Sequence, residues 1–159
     1  MMSTTPAELQ SQDPSSQLST NDTDMLTYAI QKVGFEPDQT APQGPTDLNG
    51  FMQAIDEFPW AAQHSEWDEL QDGPLPSVGL VDVPEQRELW VTALSDDLDD
   101  DYVVISVAMR MHKGLFSKPK PRLTNTLVDV EGRALVNKLC ELFARNEYEA
   151  LDKEIARLE

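Results

Sequence analysis

Three stretches constrain this chain more than anything else in it: SVGLVDV (77–83), ELWVTAL (88–94) and YVVISVAMRM (102–111). Each is rich in β-branched and aromatic residues, and only short polar breaks separate them, the pattern of an antiparallel meander. RLTNTLVDV (122–130) is a candidate fourth strand. Successive side chains of a strand point to opposite faces. In the third stretch Val103, Ile105, Val107, Met109 and Met111 therefore share one face, and Tyr102, Val104, Ser106, Ala108 and Arg110 share the other. The first set is uniformly apolar and is the expected core face.

Outside the meander the period turns helical. Met25, Leu26, Ala29, Ile30 and Val33 recur at helical spacing behind Asn21 or Asp22 as N-cap, and Gly34 stands where a C-terminal glycine belongs, which predicts a first helix. FEPDQTAPQGP, with three prolines, is a loop. Thr46 is placed to cap a second short helix through Leu48, Phe51, Met52 and Ile55, which Pro59 interrupts. WAAQHSEWDELQDGPLP is expected to hold a turn or two of helix and then a loop from Asp72 to Pro76. From Glu131 onward Leu135, Leu139, Leu142 and Phe143, then Tyr148, Leu151, Ile155 and Leu158, are spaced as on helices, with Asn146 marking a kink or break. Residues 1–20, rich in Ser, Thr, Gln and Pro, read as a disordered polar tail, and 21–159 as a single domain. The expected class is α+β: two short N-terminal helices, an antiparallel sheet of three to four strands, and a C-terminal helical segment packed on one face.

Charge is the second constraint. The net charge is −17, but residues 1–101 carry −19 and residues 102–159 carry +2. SDDLDDD puts five acids, Asp96, Asp97, Asp99, Asp100 and Asp101, into six positions, and no acid occurs from Val103 to Val128. That acid-free stretch holds Arg110, Lys113, Lys118, Lys120 and Arg122, with Leu115 and Phe116 among them. SDDLDDD is expected to form a hairpin tip and MHKGLFSKPKPR the loop after the long strand. A strand of about ten residues is on the order of 33 Å long. The two clusters then sit at opposite ends of the sheet, several Debye lengths apart at physiological salt, and neither needs to neutralise the other.

Few chemical motifs compete with this reading. Asp97, Asp99 and Asp101 alternate as in a calcium loop, but Tyr102 stands where the turn needs glycine and Ala108 where a bidentate Glu is needed. His64, Glu66, Asp68 and Glu69 have ligating side chains at a spacing that matches no zinc motif, and read as a surface helix turn. The single cysteine, Cys140, lies between Leu139 and Leu142 and is expected to be a small buried residue of a protein in a reducing compartment. No nucleophile has a recognisable base beside it, and no glycine-rich phosphate loop exists, so neither an enzyme nor a cofactor is expected. The start of the chain lacks the basic and apolar regions of a signal peptide, and no run approaches a membrane span; a cytoplasmic location is expected.

The expected function is that of a non-enzymatic acidic interaction module, an adaptor, assembly factor or chaperone for a client with a basic surface. The acidic tip and the basic stretch just named are its candidate partner-binding residues. In size, acidity and element order the chain is similar to small acidic secretion chaperones. The alternative is an inhibitor that mimics nucleic acid, with acids at 56, 57, 66, 68, 69, 72, 82, 85 and 88 imitating phosphates. Direct nucleic-acid binding is disfavoured by the anionic surface, and no membrane contact is expected. The spacing of Tyr148, Leu151, Ile155 and Leu158 leaves packing on the protein's own sheet and a homodimer through the C-terminal helix both open.

Overall fold

The computed structural model describes residues 26–112, 118 and 120–159. The polar tail, the capping candidates Asn21 and Asp22, and Lys113, Leu115 and Phe116 lie outside the described residues. In chain order the elements are β1 (Leu26–Gln31), β2 (Ala41–Pro45), α1 (Leu48–Glu57), α2 (Trp60–Leu70), β3 (Ser77–Asp82), β4 (Arg87–Ala93), β5 (Tyr102–His112), β6 (Lys120–Val130), α3 (Arg133–Ala144) and α4 (Tyr148–Leu158). The strands form one antiparallel sheet in the order β2-β1-β3-β4-β5-β6. The α+β class and the meander are as the sequence predicts, but the sheet has six strands where three to four were expected.

Of the two added strands, β1 replaces the expected first helix, and β2 lies within FEPDQTAPQGP, where a loop was expected. Leu26, Tyr28 and Ile30 alternate toward the helices and lie opposite Asp82, Leu80 and Val78 of β3. Over so short a run the same apolar residues fit both periods, and pairing with a strand about fifty positions away decides between them. The N-terminal helices are thus α1 and α2, both between strands. Asp47, and not Thr46, caps α1, its carboxylate accepting from the Gly50 N–H at 2.8 Å. Pro59 separates the two helices as expected, but α2 runs for eleven residues where a turn or two was anticipated. Two tertiary bonds hold it: Trp60 Nε1 donates to the Ile55 carbonyl at 2.8 Å, and Gln63 Oε1 accepts from the Val33 N–H at 2.8 Å. Asn146, at φ 60°, breaks α3 from α4.

Helices α1, α3 and α4 pack on one face of the sheet, and α2 joins their core through Trp60. Phe51, Ile55, Trp60, Val136, Leu139, Phe143, Leu151 and Ile155 meet Val78, Leu80, Leu89, Val91, Tyr102, Val104, Val128 and Val130 in one core. The alternation of β5 is therefore the reverse of the expected one: Tyr102, Val104, Ser106 and Ala108 face the core, and the Val103, Ile105, Val107 and Met109 face is turned away from the helices. Small Ser106 and Ala108, unpersuasive as core residues by size, are both buried. Leu151 and Ile155 are buried, with Tyr148 and Leu158 packed beside them, so the seam of α4 is used within the protein's own core.

A polar cluster pins α4 to the β3–β4 hairpin. Arg87 pairs with Asp152 at 2.7 Å and lies over the Tyr148 ring, 4.6 Å from its centroid. Tyr148 Oη donates to Asp82, which is buried opposite Arg87 in the strand register. Burial first, and then this bond to a carboxylate, pushes the Tyr148 hydroxyl well above its ordinary pKa.

Candidate functional site

The face of the sheet away from the helices carries a continuous apolar row. Strand register sets Ala29 against Gly79, Gly79 against Trp90, Trp90 against Ile105, and Ile105 against Leu127. Five strands at about 4.8 Å spacing make this row roughly 19 Å wide. Met109 and Leu123 form a further pair on the same face, and Val81, Val103 and Val107 flank the row. Leu123 is 55% exposed and Leu127 61% exposed, while Trp90, Ile105, Val81 and Val103 are half-buried. An antiparallel sheet with one face on the core normally turns a polar face outward. Here the outward side of β5 is apolar throughout Val103–Met109, while Thr27, Glu88, Thr92 and Asp129 stand on the same face of neighbouring strands.

Trp90 lies flat on the backbone of Gly79. A Cβ at that glycine would stand 2.5 Å from both Cε2 and Cε3 of the indole, so only glycine admits this approach. The indole N–H donates to Glu88 Oε1 at 2.7 Å, which ties an acid to the rim of the apolar row. Asp129, opposite Val103, is exposed on the same rim.

The acidic cluster forms the β4–β5 hairpin tip, as its sequence predicts. Its turn is built by its own side chains: the Asp97 carboxylate accepts from the Asp99 N–H at 3.0 Å, and the Ser95 hydroxyl accepts from the Asp97 N–H at 3.0 Å. Tyr102 Oη donates to the Leu98 carbonyl at 2.6 Å and fastens the turn to the core; its pKa is raised, chiefly by burial. Asp96, Asp97, Asp99, Asp100 and Asp101 are all exposed. Asp96 is not free of the fold, because its carboxylate meets His64 Nδ1 at 2.7 Å.

That contact is one the sequence does not reveal, since 32 positions separate the residues. The second ring nitrogen, Nε2, lies 2.8 Å from the Ala93 carbonyl. Both His64 nitrogens thus face oxygen acceptors. Next to the ring is a cleft of about 380 Å³ bordered by Trp67, Asp68, Leu75, Thr92 and Asp96. Glu66, Asp68 and Glu69 do not join His64 around a metal: among the described residues no group of three or more His, Cys, Asp or Glu is placed to hold one. Cys140 is fully buried, and burial pushes its thiol up to about 12.

The basic residues occupy the opposite end of the sheet. Tyr102 pairs with Val130 at the acidic end of the β5–β6 ladder, and His112 pairs with Lys120 at the other. The expected loop is shorter than the basic stretch, because Arg110 belongs to β5, and Lys120 and Arg122 belong to β6, with Arg110 opposite Arg122. Lys118 and Arg122 are exposed. Of the acids assigned to a nucleic-acid-like surface, Asp82 is buried against Tyr148 and Asp56 pairs with Arg133 at 2.8 Å.

Among the described residues no helix is long and apolar enough to cross a membrane. Comparison with protein-family models, with curated proteins and with solved structures finds no match to this chain.

Proposed function

We propose that the chain is a non-enzymatic interaction module that holds a basic, amphipathic segment of a client protein, in the manner of an adaptor, assembly factor or chaperone. The observation that carries this reading is the accessible part of the apolar row, Trp90–Ile105–Leu127 with Val103 and Leu123, on the sheet face opposite the core. Contiguous apolar surface of this kind marks an interaction site more often than a site of chemistry. The rim acids Glu88 and Asp129, with the exposed tip Asp97–Asp101, favour a partner that alternates apolar and basic side chains. Such a charge arrangement acts mainly through the rate of encounter and the exclusion of acidic partners. The burial of Asp82 and the pairing of Asp56 take two carboxylates out of a phosphate-like array, which favours the client reading over nucleic-acid mimicry.

A short synthetic peptide of alternating Lys and Val, and its Glu and Val counterpart, test the reading by titration calorimetry against the full chain. The Lys peptide is expected to bind, with affinity that falls as salt rises. Binding should weaken in Ile105→Thr and, independently, in a variant with Asp99, Asp100 and Asp101 all changed to Asn. Equal binding of the two peptides, or no binding of either, overturns the proposal.

A further inference from the structure

The two edges of the sheet are not equivalent. β2, at one edge, has the sequence APQGP; Pro42 and Pro45 lack N–H donors, Gly44 is at φ 108°, and the register shifts between Tyr28 and Ala29. Prolines and irregularity are how an edge is closed to further strands. β6, at the other edge, is eleven residues long and has no proline after Pro121. It also carries the two exposed leucines, Leu123 and Leu127, on the apolar face.

We propose that β6 is the interface of a homodimer, in which two copies pair β6 against β6, antiparallel, about a two-fold axis at Asn125. The inference goes beyond the client reading and does not depend on it. Asn125 is the midpoint of Lys120–Val130, so full overlap of two copies fixes the register. In that register Leu123 of one copy faces Leu127 of the other, twice over, and the four leucines close into one apolar cluster. Thr124 faces Thr126, Lys120 faces Val130 and Arg122 faces Val128, so no two like charges oppose one another. A two-fold axis normal to the sheet keeps the helices of both copies on the same face. Two six-stranded sheets then become one of twelve strands, with their apolar rows end to end. Because the pairing is antiparallel, the basic end of each copy, Lys118 to Arg122, lies beside the end of its mate that bears the acidic tip Asp96–Asp101. The sign reversal along the chain thereby becomes complementarity between copies. Since β2 is closed, the assembly stops at two.

Sedimentation equilibrium of the full chain tests the dimer, and two sets of variants test its geometry. The wild-type mass is expected to rise with concentration to twice that of one chain. Leu123→Lys with Leu127→Lys, at positions already exposed, should halve that mass while the melting transition persists. Asn125→Cys should form a disulfide-linked dimer under mild oxidation. Opposed Cα atoms of an antiparallel pair are roughly 4.5–5.5 Å apart, inside the range of about 4.4–6.8 Å that a disulfide spans. Gln43→Cys on the β2 edge is the control, and the native Cys140 is buried and does not compete. A wild-type chain that stays single at every concentration overturns the proposal. So does a dimer that survives the lysine pair, or one in which Cys at position 125 links no faster than Cys at position 43; either assigns dimerisation to another surface, such as stacked apolar faces.

Discussion

Changing Gly79 to Ala tests whether the indole of Trp90 is seated on bare backbone. The new methyl would stand 2.5 Å from Cε2 and Cε3 of the ring, where carbon atoms settle at about 3.5–4.0 Å. β3 lies in the middle of the sheet and cannot yield, so the indole must retreat by about 1 Å or swing outward. A retreat that uncovers on the order of 60 Å² costs about 1.5 kcal/mol at roughly 25 cal/mol per Å². Losing the Nε1–Glu88 bond adds about 0.5–1 kcal/mol. Against this, replacing glycine restricts the unfolded chain, a gain of about 0.4–1 kcal/mol. The expected net loss is about 1–2 kcal/mol, read as a lower urea midpoint at unchanged slope in circular dichroism. In a Trp90→Leu background the obstacle is gone, and the same Gly79→Ala change should be neutral or mildly stabilising. A loss below about 0.5 kcal/mol in the wild type, or equal losses in the two backgrounds, refutes the seating argument.

Asp152→Ala removes the carboxylate that pairs with the buried Arg87 guanidinium over the Tyr148 ring. The loss should be about 2–3 kcal/mol by chemical denaturation, below the usual range for a fully buried pair because Asp152 is 30% exposed; Arg87→Met in addition should recover part of it. Alkaline titration reads Cys140 and Tyr148 together, since burial favours the neutral form of both, holding the thiol up to about 12. Unfolded, they ionise near about 8.5 and 10, so their contribution is complete below about pH 8 and is lost as pH rises through 9 to 12; melting temperature should be level to about pH 8 and then fall. The Cys140 thiol should be inert to an aromatic disulfide reagent in the native protein and react fully in denaturant.

What could be read from the sequence tracks how local each determinant is. Strands β3 to β6 follow one another closely in sequence, so each pairs with its neighbour in sequence and the alternation in each run suffices to find it. The acidic tip was legible for the same reason: it is the turn between two readable strands. β1 and β2 were not. APQGP has no strand propensity, and it is a strand only because Thr27 to Ile30 present a ladder to it, while β1 in turn depends on β3 across an intervening pair of helices. The His64–Asp96 contact is hidden by the same distance along the chain, because neither residue's neighbours differ from those of an ordinary surface turn.

β5 departs from expectation for a different reason. Apolar bulk favours its Val103, Ile105, Val107 and Met109 face as the core. The helices instead cover the face with Ser106 and Ala108, both buried. A chain that needed only to bury one face of β5 would place polar residues at 103, 105, 107 and 109, at no cost to its core and with a gain in solubility. Four apolar side chains stand there instead, and one of them, Ile105, is in register with Trp90 on one side and Leu127 on the other. Val107 is buried within the chain itself, and the rest of that apolar face, Val103, Ile105 and Met109, is the surface that the proposed client would cover.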